Sequence, residues 1–330
     1  MNNFTRTDLA IEADILQNQY TKEDIEGVKI NVEEGIRQDI TVTWVQIMNE
    51  KGSKAMGKPI GNYITVEAED MKGNNTQLHE TIIEIVSNKL SKIKKIKDDE
   101  SVLIVGLGNW NITPDALGPK VISKVLVTRH LLNNIPDEIN EQVRPVSAIS
   151  AGVMGITGME TSEIVKGLVD NVKPSLVIAI DALAARKSSR INTTIQITDT
   201  GITPGSGVGN RRKALNEQTL GVPVIAIGVP TVVDAATLVN DTMDTILEQM
   251  KNESKEGSEF YDMLMKVENQ EKYSLILEVL EPYSGNMFVT PKEVDSVVES
   301  LADIIGNSIN IALHKGIDIK DINRYIYNRL

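Results

Sequence analysis

Two aspartates stand where a covered parallel sheet would place reactive groups. The stretch from Ser101 to Pro119, SVLIVGLGNWNITPDALGP, opens with an apolar run, Val102 to Leu107, that suits a strand covered on both faces. It ends in a turn-prone loop through Gly108, Asn109 and Asn111. Thr113-Pro114-Asp115 then has the make-up of a helix start, which sets Asp115 at the mouth of a strand-to-helix turn. Further on, Pro174 introduces SLVIAID, a second apolar run with Asp181 at its carboxyl end. Open α/β sheets carry their sites at such strand ends. Two carboxylates brought close cannot both ionise cheaply, so one keeps its proton, and the pair can act as base toward water and acid toward a leaving amine. The same carboxylates holding a metal would make a different hydrolytic site.

Other chemistries fit the chain less well. It has no cysteine, which excludes a thiol nucleophile, a thiolate metal site and a disulfide framework. Its three histidines, His79, His130 and His314, fall in predicted helices, and His79-Glu80 lacks the second histidine of a zinc helix. No G-x-S-x-G elbow occurs. Gly106-Leu107-Gly108 has Asn111 where a dinucleotide loop wants a third glycine, so turn geometry accounts for these glycines better than phosphate binding. Asp199-Thr200-Gly201 carries the signature of pepsin-like proteases, but those need two such loops on an all-β frame. Here it reads as a strand ending in a turn.

The elements that must position the two aspartates alternate. Val28 to Met48 predicts two β-branched strands about a Glu33-Glu34-Gly35 turn, and Tyr63 to Ala68 a third, together a small antiparallel layer. Gln77 to Ile96 repeats apolar residues at helical spacing. After the central strand a helix is expected over Lys120 to Leu132. A short strand at Pro145 to Ile149, a glycine-rich loop, a helix from Thr161 to about Val172 and the strand ending at Asp181 come next. Strands follow at Ile191 to Asp199 and from Val222, then a helix from Asp234 to about Met250 and helical stretches at Glu259 to Leu280 and Pro291 to His314. Strand, helix and strand in turn predict a parallel sheet.

With 330 residues the chain can bury one large core, and a single elaborated domain is expected. The N-terminus lacks the basic-then-apolar form of a signal peptide and there is no run of 18 apolar residues, which predicts a cytoplasmic protein with no membrane association. A net charge of -12 argues against direct binding to nucleic acid.

Longer motifs carry a resemblance. GLGNWNITPDALGPK at Gly106, TRHL at Thr128, RPVSAISAGVMGITGMETSEI at Arg144, IAIDALAAR at Ile178, NTTIQITDTGITPGSGVGNRRK at Asn192, GVPVIAIGVPTVVDA at Gly221 and VTPKEVD at Val289 resemble the germination proteases. These are endopeptidases of spore-forming bacteria that degrade small acid-soluble spore proteins. The resemblance implies a fold similar to hydrogenase maturation endopeptidases. The expected class is therefore α/β, a doubly wound, mostly parallel sheet with helices on both faces plus the antiparallel layer. It also implies that Asp115 and Asp181 are the catalytic pair, with no cofactor and no metal. A precursor cut between Asp8 and Leu9, a propeptide of residues 1–8 ahead of a domain of residues 9–330, a homotetramer, and action in the forespore and spore core are implied as well. An acidic residue before the scissile bond calls for a basic pocket, for which Arg186, Arg190, Arg211 and Arg212 are the nearest in sequence. Two other readings stay open. One is a metal-dependent maturation protease of the hydrogenase type, which needs a histidine beside the carboxylates. The other is a binding module in which both aspartates are dispensable.

Overall fold

The computed structural model describes residues 25–131, 142–205, 212–265, 269–284 and 287–322. Among these, nine strands form one sheet: β1 (Val28–Arg37), β2 (Ile40–Ile47), β3 (Gly61–Glu67), β4 (Val102–Gly106), β5 (Val146–Ser150), β6 (Leu176–Ala185), β7 (Thr194–Thr198), β8 (Val224–Asp234) and β9 (Phe288–Val289). Their order across the sheet is β1-β2-β3-β7-β8-β6-β4-β5, with β9 pairing the end of β8. The main helices are α1 (Thr76–Ile93), α2 (Leu117–Ile122), α3 (Thr161–Val172), α4 (Ala235–Glu253), α5 (Asn269–Ser284) and α6 (Val294–Leu313).

The fold is α/β, but the sheet is mixed. The pairs β4–β5, β4–β6 and β6–β8 are parallel, whereas β1–β2, β2–β3, β3–β7, β7–β8 and β8–β9 are antiparallel. The expected antiparallel layer is thus not a separate layer. β3 pairs β7, with Tyr63 opposite Thr198 and Glu67 opposite Thr194, and this joins the hairpin strands to the parallel half.

Alternation along the buried strands explains the layering. Val102 and Ile104 of β4 and Ile178 and Ile180 of β6 join one apolar cluster with α1 and α6. Leu103, Val105, Val177 and Ala179, pointing the other way, join a second cluster with Val165 and Val169 of α3. Both faces of the parallel strands are therefore covered, as their unbroken apolar runs require. α1 starts where Asn75 accepts the Leu78 N–H at 3.1 Å.

Several expected boundaries move. The strand expected to end at Asp181 runs on to Ala185, because Ala182 to Ala185 continue its pairing with β8, so Asp181 lies within β6. The first hairpin turns at Gln38-Asp39 rather than at Glu33 to Gly35, which lie within β1 next to a register shift. An Arg37–Asp39 ion pair at 2.8 Å brackets the observed turn. The helix expected through Leu132 stops at Ile122. Asn310 of α6 takes over its next backbone groups, donating from Nδ2 to Lys124 O at 3.0 Å and accepting the Leu126 N–H at 2.9 Å. Lys120 and Lys124 pair with Glu299 at 2.7 and 2.6 Å and clamp α2 to the same helix.

Candidate active site

β4 ends at Gly106, and Leu107 still donates its N–H to Ile180 O of β6 at 2.8 Å. Gly108 follows with φ +105°, where a side chain is strained. A Cβ there would lie 2.0 Å from Asp115 O and 3.2 Å from its Oδ1, so only glycine lets the turn close on the aspartate. Asn109 then donates its N–H to Asp115 Oδ2 at 2.8 Å, and Asp115 donates its own to Ile112 O at 2.8 Å. Thr113–Asp115 make a single 3₁₀ turn opened by Pro114. At the start of α2, a Cβ on Gly118 would meet Leu107 O at 2.3 Å and Ile180 O at 2.6 Å, so the helix abuts both strand ends.

Asp181 stands on β6 opposite Gly228 of β8. It is 6% exposed, and its Oδ1 accepts the Ala182 N–H at 3.0 Å. Since β4 and β6 are adjacent and parallel, with Gly106 opposite Ile180, the turn bearing Asp115 and the position of Asp181 meet at one carboxyl end. Burial pushes the Asp115 carboxyl up to about 6, against the opposing pull of the Asn109 N–H. A raised value suits a carboxyl that must keep a proton near neutral pH. Oδ2 already accepts a hydrogen bond, so Oδ1 is the oxygen left for that proton.

The model of the family described as germination protease matches residues 5–266 and 253–326. A germination protease of Clostridium acetobutylicum is 52% identical over 327 residues, covering 98% of this chain and 99% of the relative. Those of Clostridium tetani (52% over 321 residues, 97% and 99%) and Bacillus cereus AH187 (45% over 358 residues, 98% and 97%) are similar over comparable spans. The chain belongs to the germination protease family. It is accordingly a peptidase, a hydrolase of peptide bonds.

The basic residues expected near the site fall at different places. Arg186 follows the last residue of β6, at the same end of the sheet as Asp115. Arg190 is tied to Glu67 at the end of β3, Nε to Oε1 at 3.1 Å. Arg212 lies against the loop after β5, its Nη1 3.3 Å from Met154 Sδ and 3.6 Å from Glu160 Oε1. Asp8, Leu9 and Arg211 lie outside the described residues.

Asp199 is placed elsewhere. β7 runs antiparallel to β8, so its carboxyl end is at the opposite end of the sheet from Asp115 and Asp181. There the Asp199 carboxylate accepts the Asn62 N–H and the Asn62 Nδ2–H, each at 2.7 Å, and Asn62 Oδ1 in turn accepts from Trp44 and Gln46. It is a brace between β7 and β3. The histidines are also away from the pair: His79 on α1 contacts Met71 O at 3.1 Å, His130 lies in an exposed turn, and His314 is buried after α6. Among the described residues no three His, Asp or Glu side chains gather as a metal ion would need.

Three residues that shape the site escaped the sequence reading. Asn109 and Gly118 looked like turn and helix filler, and Thr231 of β8, whose hydroxyl donates to Pro114 O at 2.7 Å, looked like an ordinary strand residue. The available signal for the last was Pro230, since proline inside a strand marks an edge or a bulge.

Proposed function

We propose that this peptidase hydrolyses small acid-soluble spore proteins during germination, with Asp115 and Asp181 as an acid/base pair and water as nucleophile. The reading is supported by the register of the adjacent parallel strands β4 and β6, which sets the turn bearing Asp115 beside the level of Asp181, and by the burial that pushes the Asp115 carboxyl up to about 6. Asp181, ionised, takes a proton from the water whose oxygen attacks the scissile carbonyl carbon. Asp115 gives its proton to the carbonyl oxygen. As the tetrahedral intermediate collapses and the C–N bond breaks, the proton gained by Asp181 passes to the leaving nitrogen, and Asp115 recovers its own.

The same reading makes the chain its own substrate. Asp8, Leu9 and Glu12 supply an acid before the bond, an apolar residue after it and a further acid downstream, so a propeptide of residues 1–8 is removed from a domain of residues 9–330. Arg186, Arg190, Arg211 and Arg212 are the residues to receive the acidic side chain; Arg190 and Arg212 would exchange their bonds to Glu67 and Glu160 for it. Exposed Trp110 and Ile112 on the loop after β4, and Ile156 and Met159 on the loop after β5, offer apolar surface at the same end for the residue that follows the bond. The enzyme works as a homotetramer in the forespore and spore core.

Incubation with a small acid-soluble spore protein, with and without chelator, tests the reading. Cleavage unaffected by chelator, lost in both Asp115→Asn and Asp181→Asn, and a new N-terminus at Leu9 by mass spectrometry are expected. Activity restored by a metal after chelation would favour the hydrogenase-type mechanism instead. Near-normal turnover in either variant would remove that aspartate from the chemistry.

A further inference from the structure

β8 contains one residue more than the strand beside it. Leu183 of β6 faces Pro230, but Ala184 faces Val232, which leaves Thr231 as the extra residue of a bulge. Pro230 has no N–H to give the ladder, and a bulge re-aims the side chain at its centre. Here the re-aimed group is the Thr231 hydroxyl, in a residue only 1% exposed, and it donates to Pro114 O at 2.7 Å. That carbonyl belongs to the residue directly before Asp115.

The bulge is itself held from two directions. Thr290, just past β9, donates its hydroxyl to Thr231 O at 2.8 Å. Asn192, with φ 60°, donates its backbone N–H to Pro230 O at 2.7 Å. The bonds within the turn, Asn109 to Asp115 and Asp115 to Ile112, close the loop on itself. The Thr231 hydroxyl ties that closed loop to the strand that pairs directly with the strand of Asp181.

We propose that Thr231 is a positioning residue: by fixing the Pro114 carbonyl it sets where the Asp115 carboxyl stands relative to Asp181. This rests on the reading of those two aspartates as the reacting pair. The test compares Thr231→Val, Thr231→Ser and Asp115→Asn by steady-state cleavage of a spore protein and by thermal unfolding. Thr231→Val should lower kcat by about tenfold or more while KM stays within about twofold, because the hydroxyl acts on the chemistry and not on substrate binding. Thr231→Ser, which keeps the hydroxyl, should recover most of the loss. Should Thr231→Val fail to fold, Thr231→Ala puts the same question with no bulk added.

A folded Thr231→Val or Thr231→Ala protein with wild-type kcat, alongside an inactive Asp115→Asn, would overturn the positioning role and leave the aspartate reading intact. So would a kcat loss that Thr231→Ser fails to recover. An active Asp115→Asn protein would instead overturn the aspartate reading itself.

Discussion

Asn109 and Asp115 hold each other twice: the Asn109 N–H donates to Asp115 Oδ2 at 2.8 Å and to Asp115 O at 3.1 Å. A donor on a carboxylate oxygen favours the charged form, and yet burial outweighs it and lifts the group to about 6. The neighbour thus fixes the direction of the carboxyl more than its charge.

The rate should accordingly follow a bell-shaped pH profile whose two limbs belong to the pair. If Asp115 holds the working proton, the descending limb lies near pH 6, where that proton is lost. Initial rates on a spore protein between pH 4 and 8 would show it; a flat profile over that span would rule out a shared proton.

Asp115 should also cost the fold stability at neutral pH. Its carboxyl titrates near 3.8 when unfolded and near 6 when folded, so between those values the native state binds more protons. Stability therefore falls as pH rises through that window, by ~2 kcal/mol after allowance for partial exposure. Asp115→Asn, which keeps the shape and carries no charge, should melt higher than wild type at pH 7.5. The gap should close below about pH 4, and scanning calorimetry at the two pH values checks both halves.

Asp199→Asn should separate brace from chemistry. An amide can accept only one of the two bonds that Asn62 gives the carboxylate, and it sets an NH2 against the other donor. A loss of ~1–3 kcal/mol in denaturant unfolding is expected, with kcat unchanged. Loss of turnover equal to that of Asp181→Asn in a protein that still folds would return the Asp-Thr-Gly turn to the mechanism.

His314 should make the fold acid-sensitive. Its Nδ1 accepts the Arg144 N–H at 3.2 Å, and burial lowers its pKa to about 4. The unfolded chain takes up a proton below about 6.5 that the folded chain refuses, so stability is full above that value and declines as pH falls toward 4. The decline amounts to at most ~3 kcal/mol. His314→Asn should start less stable at pH 7 but show a shallower fall, which urea unfolding at pH 7, 5.5 and 4.5 would detect.

Much of the parallel half could be read from the chain because its signals are local. Val102 to Val105 and Leu176 to Ile180 are apolar without interruption, short and bounded by turn residues, which suits a strand covered on both faces. Asp115 then stands out in the turn past the first run and Asp181 as the polar residue that closes the second, although the strand itself continues through Ala185. The antiparallel half was harder, because alternation in Tyr63 to Glu67 says that a strand exists but not that its partner, Thr194 to Thr198, lies some 130 residues away. Gly106 and Gly118 were opaque for a related reason: each is glycine because distant backbone comes close, a Cβ on Gly106 falling 2.5 Å from Gly118 O and one on Gly118 2.3 Å from Leu107 O. Asn109 acts through its own backbone N–H and Thr231 through the carbonyl of Pro114, and no spacing rule reports such contacts.

The reversal of direction between β8 and β7 gives the molecule two ends with different duties. The short helix Glu50–Met56, between the end of β2 and the start of β3, sits with Asp199 at the end away from Asp115 and Asp181. Lys54 on that helix is exposed, and the chain contains no cysteine of its own. A single thiol introduced as Lys54→Cys would therefore be a unique point of covalent attachment. Coupled to a bead or electrode through it, each attached subunit would turn the end bearing Asp115 and Asp181 toward the solution, and turnover on the surface could be compared directly with turnover in free solution.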